Sequence, residues 1–151
     1  MPEIDLQNDD NLQPVPSHQE FENWVNASLQ QRFNQIEQTI RIVDEAESQQ
    51  LNARYRGQDK PTNVLSFAVD PSELLEYTHL GDLVICAPVI AREAQEQGKT
   101  LTAHWAHMVV HGMLHLQGFD HQNEAEAEQM EALEIEILQA LGHTNPYSSQ
   151  L

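Results

Sequence analysis

The stretch "AHWAHMVVHGMLHLQGFDH", residues 103–121, combines an apolar helical pattern with histidines that recur every three or four residues. At about 100° per residue, the histidines at 104, 107, 111 and 115 fall within roughly 80° of one helix face. A helix from Thr100 to Leu116 is therefore predicted. Gly118 offers a helix stop, after which the chain can turn and bring His121 back toward the helix.

The spacing of three of these histidines is typical of a zinc site. His111 and His115 lie on successive turns, and His121 completes the pattern H-x3-H-x2-G-x2-H, which metzincin proteases share. Three protein nitrogens leave a fourth zinc position open, as in catalytic sites. Two departures argue against a protease: Gly112 stands where the general-base glutamate belongs, and no methionine turn follows. We expect His104 and His107 to be core residues or to support the ligands.

Gly112 itself has two explanations. A glycine beside the first ligand would let a bulky polyanion approach the metal without a carboxylate to repel it. Alternatively, it would let the helix pack closely against a neighbouring element. The sequence leaves both explanations open.

The rest of the chain predicts an α+β fold. Alternating or continuous apolar runs predict four strands, at 2–7, 38–44, 63–69 and 81–87. Helices are predicted after the capping residues Ser17 and Asp44, at 87–98, at 100–116 and at 123–141. We therefore expect one domain over residues 1–151, with a small mixed β-sheet of about four strands flanked by about five helices.

The last predicted helix is amphipathic. Its apolar stripe comprises Met130, Leu133, Ile137 and Leu141. Four glutamates are predicted on the opposite, solvated face, namely Glu124, Glu128, Glu131 and Glu134.

Charge and composition limit the classes of function. The net charge of −17 argues against non-specific binding to nucleic acid or to an anionic membrane, and no DNA partner is expected. The single cysteine, Cys86, lies in an apolar run and is predicted to be a buried, reduced thiol. The acidic N-terminus lacks the features of a signal peptide, and no run approaches the ~18 apolar residues of a membrane span, so a cytoplasmic location is predicted. Three of the seven basic residues lie close together in the sequence, namely Arg54, Arg56 and Lys60.

The motif at 111–121, "HGMLHLQGFDH", closely resembles the H-G-x-L-H-L-x-G-Y-D-H signature of the YbeY family of endoribonucleases. The resemblance extends to "YRGQDKPTNVLSF" (55–67), "GDLVI" (81–85) and "ALEIEILQALG" (132–142), and covers nearly the whole chain from residue 37 onward. One departure is Phe119, where tyrosine is usual.

This resemblance implies a function: single-strand-directed, zinc-dependent endonucleolytic cleavage in 16S rRNA maturation and ribosome quality control. It implies one zinc ion per chain bound by His111, His115 and His121, with Arg56 and His115 in catalytic roles. Arg54, Arg56 and Lys60 become a candidate phosphate-binding strip. The implied partners are ribosomal RNA, the small ribosomal subunit, and ribosomal proteins or assembly factors.

A second hypothesis is a ribosome assembly factor without catalytic activity. In that case a structural zinc pins His121 to the helix, and the acidic surface binds basic ribosomal proteins. The open zinc position and Arg56 favour the nuclease, whereas the strong acidity is compatible with the assembly factor.

Overall fold

The structure is a computed structural model that describes residues 2–30, 36–69, 79–119 and 122–147. Its strands are β1 (Glu3–Gln7), β2 (Glu37–Val43), β3 (Val64–Ala68) and β4 (His79–Cys86). Its helices are α1 (His18–Ser28), α2 (Glu45–Arg56), α3 (Ala87–Gln97), α4 (Leu101–Leu116) and α5 (Glu124–Ala140). These described residues confirm the prediction of an α+β domain with a mixed sheet of about four strands and about five helices.

The strands form one mixed sheet in the order β1-β2-β4-β3. β1 and β2 are parallel, as are β2 and β4, whereas β3 runs antiparallel to β4 along the edge. The register of this last pair places Ser66 opposite Leu83. β4 is thus a central strand, which agrees with its near-continuous apolar sequence.

The two faces of the sheet are covered unequally. Alternate residues of β4, Leu83 and Ile85, face the large core, which also holds Trp105 of α4 and Phe21 of α1. The opposite face carries a small apolar cluster of Val43, Leu65, Val84, Cys86 and Val89, against which Leu51 of α2 and Phe67 pack. Cys86 is free and buried, as predicted, and burial raises the pKa of its thiol.

Local capping explains where several helices begin and end. Ser17 and Glu20 form the predicted capping box at the start of α1. The Asp44 side chain accepts a hydrogen bond from the backbone N–H of Glu47 at the start of α2. α2 ends at Gly57, whose φ of 70° lies in the left-handed region that favours glycine. Within the described ranges, no helix is long and apolar enough to cross a membrane.

Candidate metal centre

Helix α4 presents two of the predicted ligands side by side. The imidazole rings of His111 and His115 have centroids 4.7 Å apart and meet edge to face. Both residues are half-buried and line the same cavity. The helix ends at Leu116, and the chain leaves it through Gly118, whose φ is 101°. The predicted helix and its stop are confirmed.

A buried carboxylate from α5 holds the first of these imidazoles. The Glu134 side chain is completely buried, and its Oε1 lies 2.5 Å from Nδ1 of His111. Its Oε2 lies 3.2 Å from Nε2 of His107 and also accepts a hydrogen bond from the Tyr147 hydroxyl. Burial alone would raise the pKa of Glu134, but the hydrogen bonds from His107, His111 and Tyr147 outweigh it and lower the pKa to about 2.

The ionisation of Glu134 determines what His111 can do. An ionised carboxylate only accepts hydrogen bonds, so Nδ1 of His111 must be the donor. The proton on Nδ1 leaves the lone pair of Nε2 for a metal ion. A carboxylate bonded to the far nitrogen of an imidazole is the usual support for a metal-binding histidine. The donor chemistry of the pair His111 and His115 therefore fits zinc.

The prediction that Glu134 belongs to the solvated face of the last helix is wrong. Residue 134 follows Met130 by four positions and precedes Ile137 by three, so it lies on the apolar stripe of α5. A carboxylate is tolerated there because three side chains donate hydrogen bonds to it. The three other glutamates of that predicted set, Glu124, Glu128 and Glu131, are exposed as predicted.

His104 and His107 are core residues that support the site, as expected. They are 2% and 6% exposed, respectively. His107 shares Glu134 with His111, whereas Nε2 of His104 lies 2.9 Å from Oε1 of Glu93 in α3. Burial lowers the pKa of His104 and so favours its neutral form.

Glu93 also anchors the loop that forms the opposite wall of the cavity. Its two carboxylate oxygens accept hydrogen bonds from Nδ2 of Asn63, at 3.1 and 3.3 Å. Nearby, the Ser48 hydroxyl donates to the carbonyl oxygen of Thr62 and accepts from its N–H. The loop before β3 is thereby tied to α2, α3 and α4.

The cavity beside His111 and His115 has a volume of about 630 Å³. Its other lining residues come from the end of α2 and from the loop and strand that follow: Tyr55, Arg56, Thr62, Asn63, Val64, Leu65, Ser66 and Phe67. Arg56 is exposed. The structure thus brings Arg56 together with the two described histidines.

The other two predicted basic residues lie elsewhere. Arg54 lines a separate depression on the outer side of α2, with Gln49 and Asp59. Its guanidinium carbon lies 5.3 Å from the centroid of the Tyr55 ring. Lys60 is exposed in the loop after α2, where its carbonyl oxygen accepts a hydrogen bond from Asn52.

Gly112 faces the sheet. A Cβ atom built on it would lie 2.7 Å from Cδ2 of Leu83 and 3.4 Å from the hydroxyl oxygen of Ser66. That hydroxyl also lies 3.5 Å from the carbonyl oxygen of Gly112. Of the two explanations for this glycine, the structure supports close packing of α4 on the sheet, because even a methyl group would require Leu83 to move.

The third predicted ligand, His121, lies outside the described residues, as does its neighbour Asp120. Within the part of the chain that the structure describes, no cluster of three or more His, Cys, Asp or Glu side chains could hold a metal ion. The described centre consists of two imidazoles and the carboxylate that orients one of them.

Two comparisons place the chain among known proteins. A family model described as "Endoribonuclease YbeY" matches residues 4–142. The fold is similar to that of the solution structure of TM1509 from Thermotoga maritima, at 23% sequence identity and a TM-score of 0.61. That likeness covers 99% of this chain and 97% of the other.

Proposed function

The chain belongs to the YbeY family of endoribonucleases, and from this premise we propose that it cuts single-stranded ribosomal RNA with one zinc ion bound by His111, His115 and His121. The family implies a role in ribosomal RNA maturation. The RNA of the small ribosomal subunit is the proposed substrate, and small-subunit proteins or assembly factors are the proposed partners.

One observation carries the proposal: Arg56 lines the same cavity as the pair His111 and His115. Imidazole nitrogens bind zinc, and a guanidinium group donates paired hydrogen bonds to phosphate oxygens. A cavity with both groups suits a phosphodiester, in which negative charge increases on the phosphoryl oxygens during the reaction.

The protein residues contribute binding, orientation and charge. A zinc ion in this centre would act as a Lewis acid toward a phosphoryl oxygen or would lower the pKa of a bound water. Glu134 would hold His111 with its Nε2 toward the ion, through the bond to Nδ1. Arg56 would donate to the phosphoryl oxygens more strongly in the transition state than in the ground state, which accelerates the reaction.

The close packing at Gly112 also bears on the mechanism. The metzincin helix carries its general base at this position, but here the position points at Leu83. A glutamate side chain would have to displace that buried leucine. This geometry supports a reaction that relies on charge stabilisation by the metal and Arg56, with no base at position 112.

The test uses purified protein with structured small-subunit rRNA, with and without a chelator. We expect about one zinc ion per chain, zinc–nitrogen distances of ~2.0–2.1 Å, and cleavage that the chelator abolishes. His111→Ala, His115→Ala and His121→Ala should each lose stoichiometric zinc and cleavage. His143→Ala, a histidine outside the centre, is the matched control and should keep both.

Two results would contradict the proposal. One is cleavage by the chelated protein or by His115→Ala at the rate of the unmodified protein. The other is retention of zinc by His121→Ala, which would show that the ligand set is wrong.

A further inference from the structure

Tyr55 has a ring that is exposed to solvent although it stands at the candidate active site. The residue is 56% exposed. It is one of two large hydrophobic residues that are exposed in the described ranges, and the other, Tyr147, has its hydroxyl bonded to Glu134. Single exposed apolar residues are common on protein surfaces, so exposure alone carries no argument. The significance of Tyr55 comes from the groups that surround the ring.

The Tyr55 ring is held in place by its neighbours. Its centroid lies 5.2 Å from that of Phe67 in β3, and the rings meet edge to face. The guanidinium carbon of Arg54 lies 5.3 Å from the Tyr55 centroid. Both contacts are favourable arrangements for aromatic rings. A ring that is oriented in this way loses little further freedom when a flat ligand stacks on it.

The location of the ring connects it to the phosphate-binding group. Tyr55 lines the cavity that contains Arg56, His111 and His115. It also lines a neighbouring groove over the open part of the sheet, with Thr39 and Arg41. An RNA strand whose phosphate lies at Arg56 and that leaves the cavity through this groove would pass the Tyr55 ring.

We propose that Tyr55, supported by Phe67 and with the Arg54 guanidinium over its ring, is a stacking site for one nucleobase of single-stranded RNA next to the cleaved phosphodiester. This inference rests on the proposed function. Every base has a π face, so stacking accepts any sequence but requires an unstacked, unpaired base. The site would thus explain selection of single strands, and it assigns Arg54 to the stacked nucleotide rather than to the metal cavity.

The test measures binding of zinc-loaded protein to a fluorescein-labelled 2′-O-methyl octa-adenylate by anisotropy, with the probe checked on a gel for intactness. Tyr55→Ala and Tyr55→Leu should bind about fivefold to a hundredfold more weakly, because they lack a π face. Tyr55→Phe keeps the ring and should bind within about twofold of the unmodified protein. Gln50→Ala, on the exposed side of the same helix, should bind as the unmodified protein does.

Probes with a single abasic nucleotide identify the contact. One abasic position should weaken binding by the unmodified protein and by Tyr55→Phe, and should have no effect on Tyr55→Ala, since the same interaction is already lost. The zinc content of each variant is measured to check whether its metal centre is intact.

Three results would overturn the stacking site: unchanged binding by Tyr55→Ala, equal weakening in Tyr55→Phe, or unchanged sensitivity of Tyr55→Ala to the abasic position. Cleavage of rRNA is measured in parallel. Unmodified protein that binds the probe through Tyr55 but does not cut rRNA would contradict the proposed nuclease and leave the stacking site standing.

Discussion

At the scale of single residues, one buried glutamate organises the candidate metal centre. Glu134 joins α5 to His107 and His111 of α4 and to Tyr147 near the C-terminus. An unpaired carboxylate in this position would be strongly destabilising. Glu134 can be buried only because these side chains donate hydrogen bonds to it. The carboxylate orients the imidazole of His111, and this role leads to a measurable prediction.

Glu134→Gln should weaken zinc binding by about 10- to 100-fold, because a neutral amide no longer increases the basicity of the His111 imidazole. Competition with a chelator of known affinity measures this change. Glu128→Gln, an exposed position on the same helix, is the control and should bind zinc as the unmodified protein does. Equal zinc affinity in the two variants would show that Glu134 does not support the ligand.

Arg56→Ala should keep zinc and fold but lose on the order of 10²–10³ in the rate of RNA cleavage. Arg56→Lys should recover only part of the rate, because a point charge does not reproduce the two parallel donors of a guanidinium group. Single-turnover kinetics at saturating protein measure the rate, and metal analysis checks the centre. An Arg56→Ala protein with an unchanged rate would remove this arginine from the reaction.

At the scale of elements, the position of α4 depends on how closely it approaches the sheet. Gly112 is buried where α4 crosses Leu83 of β4 and Ser66 of β3. Neighbouring positions 111 and 115 of the same helix face the cavity. The close packing at Gly112 therefore fixes how near α4 lies to the sheet, and with it the position of His111 and His115 in the cavity.

Gly112→Ala should lower the free energy of unfolding by about 1 kcal/mol. Overpacking costs ~1–3 kcal/mol, and the gain in helix propensity from glycine to alanine offsets ~1 kcal/mol of it. Denaturant titration measures the change. In a Leu83→Val background the clashing methyl group is absent, so the same substitution should become stabilising. A stabilising effect in the unmodified background would refute the close contact.

At the scale of the whole molecule, RNA binding must overcome a net charge of −17. The chain has seven basic residues, and among those that the structure describes, two are paired with carboxylates: Arg41 with Asp9 and Glu47, and Arg92 with Glu45. We therefore propose that the attraction of RNA is local and comes from the proposed zinc ion and from the three basic residues that lie close together in the sequence, Arg54, Arg56 and Lys60.

With these three cations as phosphate contacts, the slope of log affinity against log salt concentration should be about −2 for single-stranded RNA, following ~0.7 per contact. Arg54→Ala or Lys60→Ala should each flatten the slope by about one contact and leave zinc content unchanged. RNA affinities measured over a series of salt concentrations give the slope for each variant. The control is a Glu128→Gln/Glu131→Gln double variant, whose slope should stay close to that of the unmodified protein.

The same series separates the nuclease from the assembly factor without catalytic activity. Binding of basic ribosomal proteins to the acidic surface would depend on the exposed glutamates of α5 and not on the three cations. If only the glutamate double variant changes ribosome association, and RNA alone does not bind, the assembly factor is the correct reading.

The sequence by itself determined the elements and the histidine pair. The capping box at Ser17, the cap at Asp44 and the glycine after Arg56 are contacts within a few residues, so their signals lie inside short windows of sequence. The i, i+4 spacing of His111 and His115 has the same local origin. Arg56 was implied by the family resemblance, and the structure places it in the cavity of the two histidines.

Only the tertiary structure decided which distant groups meet. Glu134 was predicted to face solvent because its type is charged, although its spacing from Met130 and Ile137 put it on the apolar stripe. Burial of a carboxylate depends on donors 23 and 27 positions away in the sequence, which no local pattern reveals. The same holds for Gly112, whose role follows from the approach of Leu83, and for Tyr55, which contacts Phe67 and lines the cavity of His111 and His115. Periodicity shows which face of an element is apolar, whereas the packing of those faces determines which polar groups are enclosed together.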